Sequence, residues 1–146
     1  KKKKTITSAI CTSFKVELLK GVHNFTASSG DTFNIALYTS SASLGAATTA
    51  YTTSNEVSGS GYTAKGNALT SVTPVADSTT AVCDFADTSF TSASFTARGC
   101  MIFNDSASGD PAVCIIDFGS DKTVTSGTFT IQFPTADASN AIIRIA

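Results

Sequence analysis

From Gly30 onward the hydrophobic residues repeat at every second position, and no helical pattern interrupts them. In "TFNIALY", Phe33, Ile35 and Leu37 alternate with Asn34, Ala36 and Tyr38. That period belongs to a pleated strand and predicts one buried face, formed by the first set. The segments "NALTSVTPV", "TTAVCDF", "ASFTARGCMIF", "AVCIIDF", "GTFTIQF" and "AIIRIA" follow at intervals of about ten to fifteen residues, with "SGDP", "GSDK", "TSG" and "TADASN" as turns between them. Many short strands at even spacing predict a mainly β chain, either an antiparallel β-sandwich or a jelly-roll-like barrel. A parallel α/β sheet is excluded, because its strands need helical crossovers. Residues 39–66 are rich in Thr, Ser, Ala and Gly; the glycines of "EVSGSGY" favour turns or a bulge there.

One helix is expected before the strands, over about residues 8–20. In "TSAICTSFKVELLKGVHNF", Ile10 or Cys11, Phe14, Leu18 and Val22 recur at helical spacing, and Leu19 widens the stripe. Thr7 or Ser8 is placed as N-cap, Lys20 suits the C-terminal dipole, and Gly21 stops the helix. The organisation expected is a basic tail over residues 1–7 and a single β-rich domain over residues 8–146, with strands from about residue 32 onward.

Charge is thin and unevenly placed. Charged residues make up 14% of the chain, against roughly 25% in ordinary globular domains. Four of the ten basic residues are Lys1, Lys2, Lys3 and Lys4, so the remainder carries six basic groups against eleven acidic ones, a net of −5. A body of that sign disfavours nucleic acid as a partner. The four lysines read as a solvated tail, an expression remnant, or an arm that docks on an acidic neighbour. No segment reaches the roughly 18 apolar residues needed to cross a bilayer, so no membrane partner is expected. The start has no sustained apolar stretch after its lysines, so a secretory signal is not expected either.

Each chemical constellation fails on residue types or spacing. His23 is the only histidine, and no nucleophile elbow accompanies it; the expectation is a helix-capping or half-exposed side chain. "NDSASGD" has Ala107 where a calcium loop needs an oxygen ligand, so Asp105 and Asp110 read as turn formers. Asp84 and Asp117 fall within strands, as a glycosidase pair would, but nothing else supports that pairing. No C-x-x-C occurs and the spacing of Cys11, Cys83, Cys100 and Cys114 matches no zinc pattern. "GSGYTAKG" lacks the phosphate-loop order. The chain is therefore expected to be non-enzymatic, without catalytic residues, cofactor or metal.

The phrases "TSFKVELLKGVHNF", "FNIALYTSSASLGAATTAYTTSNEVSGSGYTAKG", "FTARGCMIFND" and "FGSDKTVTSGTFTIQFPTADASNAIIRIA" resemble small proteins encoded in the structural-gene regions of tailed bacteriophages. The resemblance runs from about Ser8 to Ala146 and leaves the lysines outside it. It implies a β-rich virion component, assembled in the bacterial cytoplasm and then extracellular: a capsid decoration (cement) protein, or a part of the neck, tail or fibre. The partners it implies are further copies of the chain and other virion proteins. An alternative is a receptor- or glycan-binding adhesin module, with Tyr38, Tyr51 and Tyr62 stacking on sugars.

"ARGCMIF" and "AVCIIDF" flank "NDSASGDP" as the arms of a hairpin. A symmetric register sets Cys100 opposite Cys114, close enough for a disulfide. The pair reads as two buried free thiols or as a staple formed late, outside the cell.

Overall fold

The computed structural model describes residues 3–146. Its centre is the hairpin of β6 (Thr88–Asn104) and β7 (Ala112–Ile131). β2 (Phe33–Tyr38) pairs antiparallel with the inner half of β6, from Phe33 opposite Asn104 to Tyr38 opposite Gly99. The short strands β1 (Ala9–Ile10) and β3 (Asn67–Ala68) complete a five-stranded sheet of order β1-β7-β6-β2-β3. A second antiparallel sheet holds β4 (Ser71–Asp77), β5 (Thr80–Phe85) and β8 (Ile143–Ile145), in the order β4-β5-β8. The result is the expected mainly β, sandwich-like fold with one short helix; its two sheets stay open, so it is not a closed barrel.

The alternation in "TFNIALY" places β2 correctly, but all six of its residues are buried instead of one face. Phe33 packs toward Phe25 and Phe85, with ring centroids 4.2 and 5.9 Å away. The opposite face is covered by residues 39–66, which run as a long loop touching the sheet at the isolated bridges Tyr38–Glu56 and Ser60–Ser94. The Tyr38 hydroxyl donates to the Thr52 carbonyl (2.7 Å) and the Asn34 amide to the Lys65 carbonyl (3.2 Å). Gly66 is required there, since its φ is 65° and a Cβ would collide with the Ile35 carbonyl oxygen.

Two expected strands are one. "AVCIIDF" and "GTFTIQF" join through "GSDK", which bends the chain without turning it. Gly119 and Ser126 take positive φ (83° and 46°), and the β6–β7 register shifts several times along the ribbon. One shift lies between Ile102 and Phe103, beside the loop. Such bulges re-aim a strand and raise its twist.

The helix, α1 (Thr12–Leu19), is shorter than expected because the residues before it are taken by the sheet. Ala9 and Ile10 pair with β7, and the Ser8 hydroxyl accepts the Asp117 N–H at 2.8 Å. Neither Thr7 nor Ser8 caps the helix; Cys11 occupies that position without a side-chain cap. Lys20 and Gly21 end it as expected, Gly21 at φ 73°. Of the predicted stripe Phe14 is buried within the helix and Cys11 at its N-cap, while Leu19 is 92% exposed.

The basic tail is also shorter than residues 1–7. Lys1 and Lys2 lie outside the described residues; Lys3 and Lys4 are exposed. Residues 5–7 run parallel to Leu44, which donates to the Thr5 carbonyl (3.1 Å) and accepts from the Thr7 N–H (2.9 Å). Ile6 is buried over Gly99, where a Cβ would meet the Ile6 side chain at 3.0 Å and the Ile116 carbonyl at 2.6 Å. Gly99→Ala should therefore lower the unfolding free energy by about 1–3 kcal/mol, as overpacking does. Urea unfolding of the two proteins checks this, and an unchanged midpoint would contradict it.

Candidate functional site

The two cysteines of the hairpin are not opposite each other. With the register shift beside the loop, Cys100 faces Ile116 and Cys114 faces Ile102. They are diagonal neighbours, a relation of about 7–8 Å in antiparallel sheets, whereas a disulfide needs Cβ atoms about 4 Å apart. Of the two readings of the pair, buried free thiols or a late staple, the register agrees with the first, and all four cysteines are free and buried. Burial pushes the Cys11 thiol up to about 11 and those of Cys83 and Cys100 up to about 12. The Cys114 thiol is likewise pushed well above the ordinary thiol value, by burial first and by the neighbouring thiols. They are packing groups in the sense of small apolar side chains. Among the described residues, no group of three or more His, Cys, Asp or Glu is placed to hold a metal ion. In native protein near neutral pH, iodoacetamide should modify no thiol; in denaturant without reductant it should modify four. Fewer than four on intact mass would reinstate a disulfide.

His23 is neither a cap nor half-exposed: its side chain has no solvent exposure. Asn104 fixes its state. The Asn104 side-chain oxygen accepts the N–H groups of Ser106 (2.9 Å) and Ala107 (3.2 Å), which sets the amide nitrogen as donor. That nitrogen donates to Asp31 (2.8 Å) and to His23 Nδ1 (3.0 Å). Nδ1 is therefore an acceptor, and the proton of the neutral ring sits on Nε2, 3.7 Å from the Glu17 carboxylate. Asp84, one of the two strand aspartates, lies outside this cluster and accepts the Phe85 N–H (2.8 Å). No nucleophile enters this arrangement, so it is a structural joint between α1, the segment before β2 and the β6–β7 loop. Burial lowers the His23 pKa, and Glu17 and Asp31 offset part of that. The sign follows: below about pH 6.5 the unfolded chain takes up a proton that the folded one resists. Stability should fall between about pH 7 and 5, more steeply than in His23→Gln. Equal slopes in pH-dependent urea unfolding would contradict the assignment.

The tyrosines face inward. Tyr38 is fully buried, and the hydroxyls of Tyr51 and Tyr62 both donate to Glu56, each at 2.6 Å. The Lys65 N–H donates to the same carboxylate (2.9 Å), and the Tyr62 oxygen accepts the Leu37 N–H (3.0 Å). Tyr51 stacks on Phe103, with centroids 4.7 Å apart. Burial and the Glu56 hydrogen bond push Tyr51 up to about 12; Tyr38 and Tyr62 are also raised, first by burial. These rings hold the long loop and are not set to stack on sugars. The aspartates of "NDSASGD" are occupied too: Lys65 Nζ lies 2.8 Å from both Asp105 and Asp110. Asp117 pairs with Arg98 at 3.2 Å, and the Gly119 N–H and Arg98 together hold its pKa low. Sequence reasoning missed Glu56, because no local signal ties one glutamate to two tyrosines.

What the molecule does present is a surface for contact. The outer half of the β6–β7 ribbon has an exposed hydroxyl face, with Ser89 bonded to Thr130 and Thr96 to Thr123, each at 2.9 Å. Its other face carries Phe90, Phe95 and the half-buried Phe129, packed on one another and, through Phe90 and Phe95, on Tyr62. β1 covers the outer edge of β7 only at Cys114 and Ile115. The Asp117 and Gly119 N–H groups go to Ser8 and to the Asp117 side chain. From Lys122 to Ile131, among the described residues, no strand pairs with β7 on the side away from β6. A depression of about 390 Å³ lies there, between Phe118, Phe129 and Ile131.

Comparison with known protein families, curated proteins and solved structures finds no match. Among the described residues, no helix is long and apolar enough to cross a membrane.

Proposed function

We propose that this chain is a non-enzymatic structural protein of a tailed-phage virion, most plainly a capsid decoration protein that stabilises the particle through many protein–protein contacts. The observation that carries the reading is the projecting β6–β7 ribbon. It offers an unpaired strand edge beside apolar side chains, and a hydroxyl face nearly without charge. An unpaired edge is a ready template for another chain. In a symmetric particle each weak contact of this kind is repeated over every copy, so modest contacts sum to a firm one. Lys3 and Lys4 are exposed next to the docked residues 5–7, and their charge would serve as an arm for an acidic neighbour.

A tail, neck or fibre component shares this surface logic. The glycan-binding reading loses its tyrosines, but keeps a groove of about 520 Å³ lined by Thr5, Thr7, Thr48, Thr49 and Thr52, rich in hydroxyls. Copy number separates these readings. Quantitative mass spectrometry of virions from the phage that encodes the chain should find on the order of hundreds of copies per particle, with labelling on the head. A few to tens on the tail would favour the tail, neck or adhesin readings. Absence from purified virions would overturn the assignment as a whole.

A further inference from the structure

Along one side the sandwich is unsealed. β1 ends the larger sheet and β8 ends the smaller one, and each has a strand on one side only. Between them, with α1, lies a groove of about 550 Å³. Its apolar walls are Phe14, Leu18 and Leu19 of α1 against Ile143 and Ile145 of β8. A smaller hollow of about 180 Å³ shares Phe14, Leu18, Ile143 and Ile145 and continues across Val82 and Cys83 of β5. Leu19 is 92% exposed and Ile145 58%, so two large apolar side chains stand at the mouth uncovered. Isolated exposed apolar residues are ordinary; a continuous tract beside an open strand edge marks a contact site.

The two edges of the smaller sheet differ. On β4 a bulge between Val72 and Val75 surrounds Pro74, which lacks an N–H, and both devices discourage pairing. β8 carries neither. Its one charged residue, Arg144, turns its guanidinium to the Ala138 carbonyl at 2.6 Å.

Charge selects the occupant. The charged residues lining the groove are Lys15 and Arg144, and no acidic side chain lines it. The remainder of the chain beyond its first four lysines has a net charge of −5. A two-fold contact that paired β8 with its own copy about its middle residue would set Arg144 opposite Arg144, and like charges directly opposite across strands are destabilising. We infer that the groove takes an extended apolar segment of another protein, flanked by Asp or Glu, which adds as a strand to the free edge of β8. Its side chains on one face would fill the tract between α1 and β8, and its acidic ends would meet Lys15 and Arg144. This names one contact through which the proposed assembly role would operate, and it rests on that role for the identity of the donor.

The test uses the full chain and a fluorescent, end-blocked seven-residue peptide of alternating valine and threonine with aspartate at both ends. A control peptide carries lysine at both ends. At low salt the acidic peptide should bind at least about tenfold more tightly than the basic one, with the preference shrinking as salt rises. Leu19→Glu and Ile145→Glu should each weaken binding by about tenfold or more. Both replace exposed side chains, and thermal unfolding of each variant verifies that it is folded. Hydrogen exchange should show Ile143–Ile145 protected by the acidic peptide. Equal binding of the two peptides, no binding at about 1 mM, or indifference to both substitutions would overturn the inference. So would a wild-type dimer that Leu19→Glu dissociates, because a second copy would then fill the groove. If the peptide binds as described but the chain is absent from virions, the function reading fails and the groove stands. If the chain is in virions and the peptide does not bind, the groove alone fails.

Discussion

The Glu56 carboxylate organises the far side of the larger sheet. It accepts from Tyr51, Tyr62 and the Lys65 N–H, and so gathers three points of a long loop onto one half-buried group. A strand buried on both faces needs two covers, and residues 39–66 contain too few apolar side chains to bind by burial alone. Polar anchoring does the remainder: Tyr38 to Thr52, Asn34 to Lys65, and Tyr62 as acceptor for Leu37. Hydrogen bonds to a charged group are worth about 1.5–3 kcal/mol each, more than neutral ones. Without Glu56 the tyrosine hydroxyls would be stranded against the sheet. The loop, β2 and the inner half of β6 therefore behave as one unit.

Around the β6–β7 hairpin the charges are spent locally. Lys65 ties Asp105 to Asp110 across the hairpin loop, and Arg98 joins Asp117 across β6 and β7. The outer ribbon is left wet through hydroxyl ladders. A surface of that kind has little long-range field to steer or repel a partner, so contact is decided by shape, backbone groups and apolar area. Aspartate serves mainly as a backbone acceptor, as at Gly119 and Phe133.

How far the sequence was readable depends on the range of the interaction. Period two marked "TFNIALY" as a strand, because alternation is local. It did not tell that Asn34, Ala36 and Tyr38 would be covered, since the cover comes from residues far along the chain. The hairpin around "NDSASGDP" was evident from its turn residues, yet a one-residue offset at the loop and a one-residue shift beside it together moved the partner of Cys100 from Cys114 to Ile116. Register is sensitive to one residue, and bulges have no firm sequence signature. The helix was legible at its glycine end and not at its start, where pairing with β7 outcompeted helical capping. Asp31, Asn104 and His23 form a joint that spacing could not reveal, because it joins three segments distant in sequence.

The length of the β6–β7 hairpin has a bearing on how the chain reaches this fold. Its arms are joined by a short loop, so pairing can begin at Phe103 and Ala112 with little loop-closure entropy and proceed outward one pair at a time. β2 and its loop can then settle on a template that already exists. The short outer strands have no such advantage. β1 must find β7, and β8 must find β5, each across a long stretch of chain, and each gains only two or three pairs on arrival. Such contacts belong late in folding and early in unfolding. β1 and β8 are thus the strands fastened last and released first.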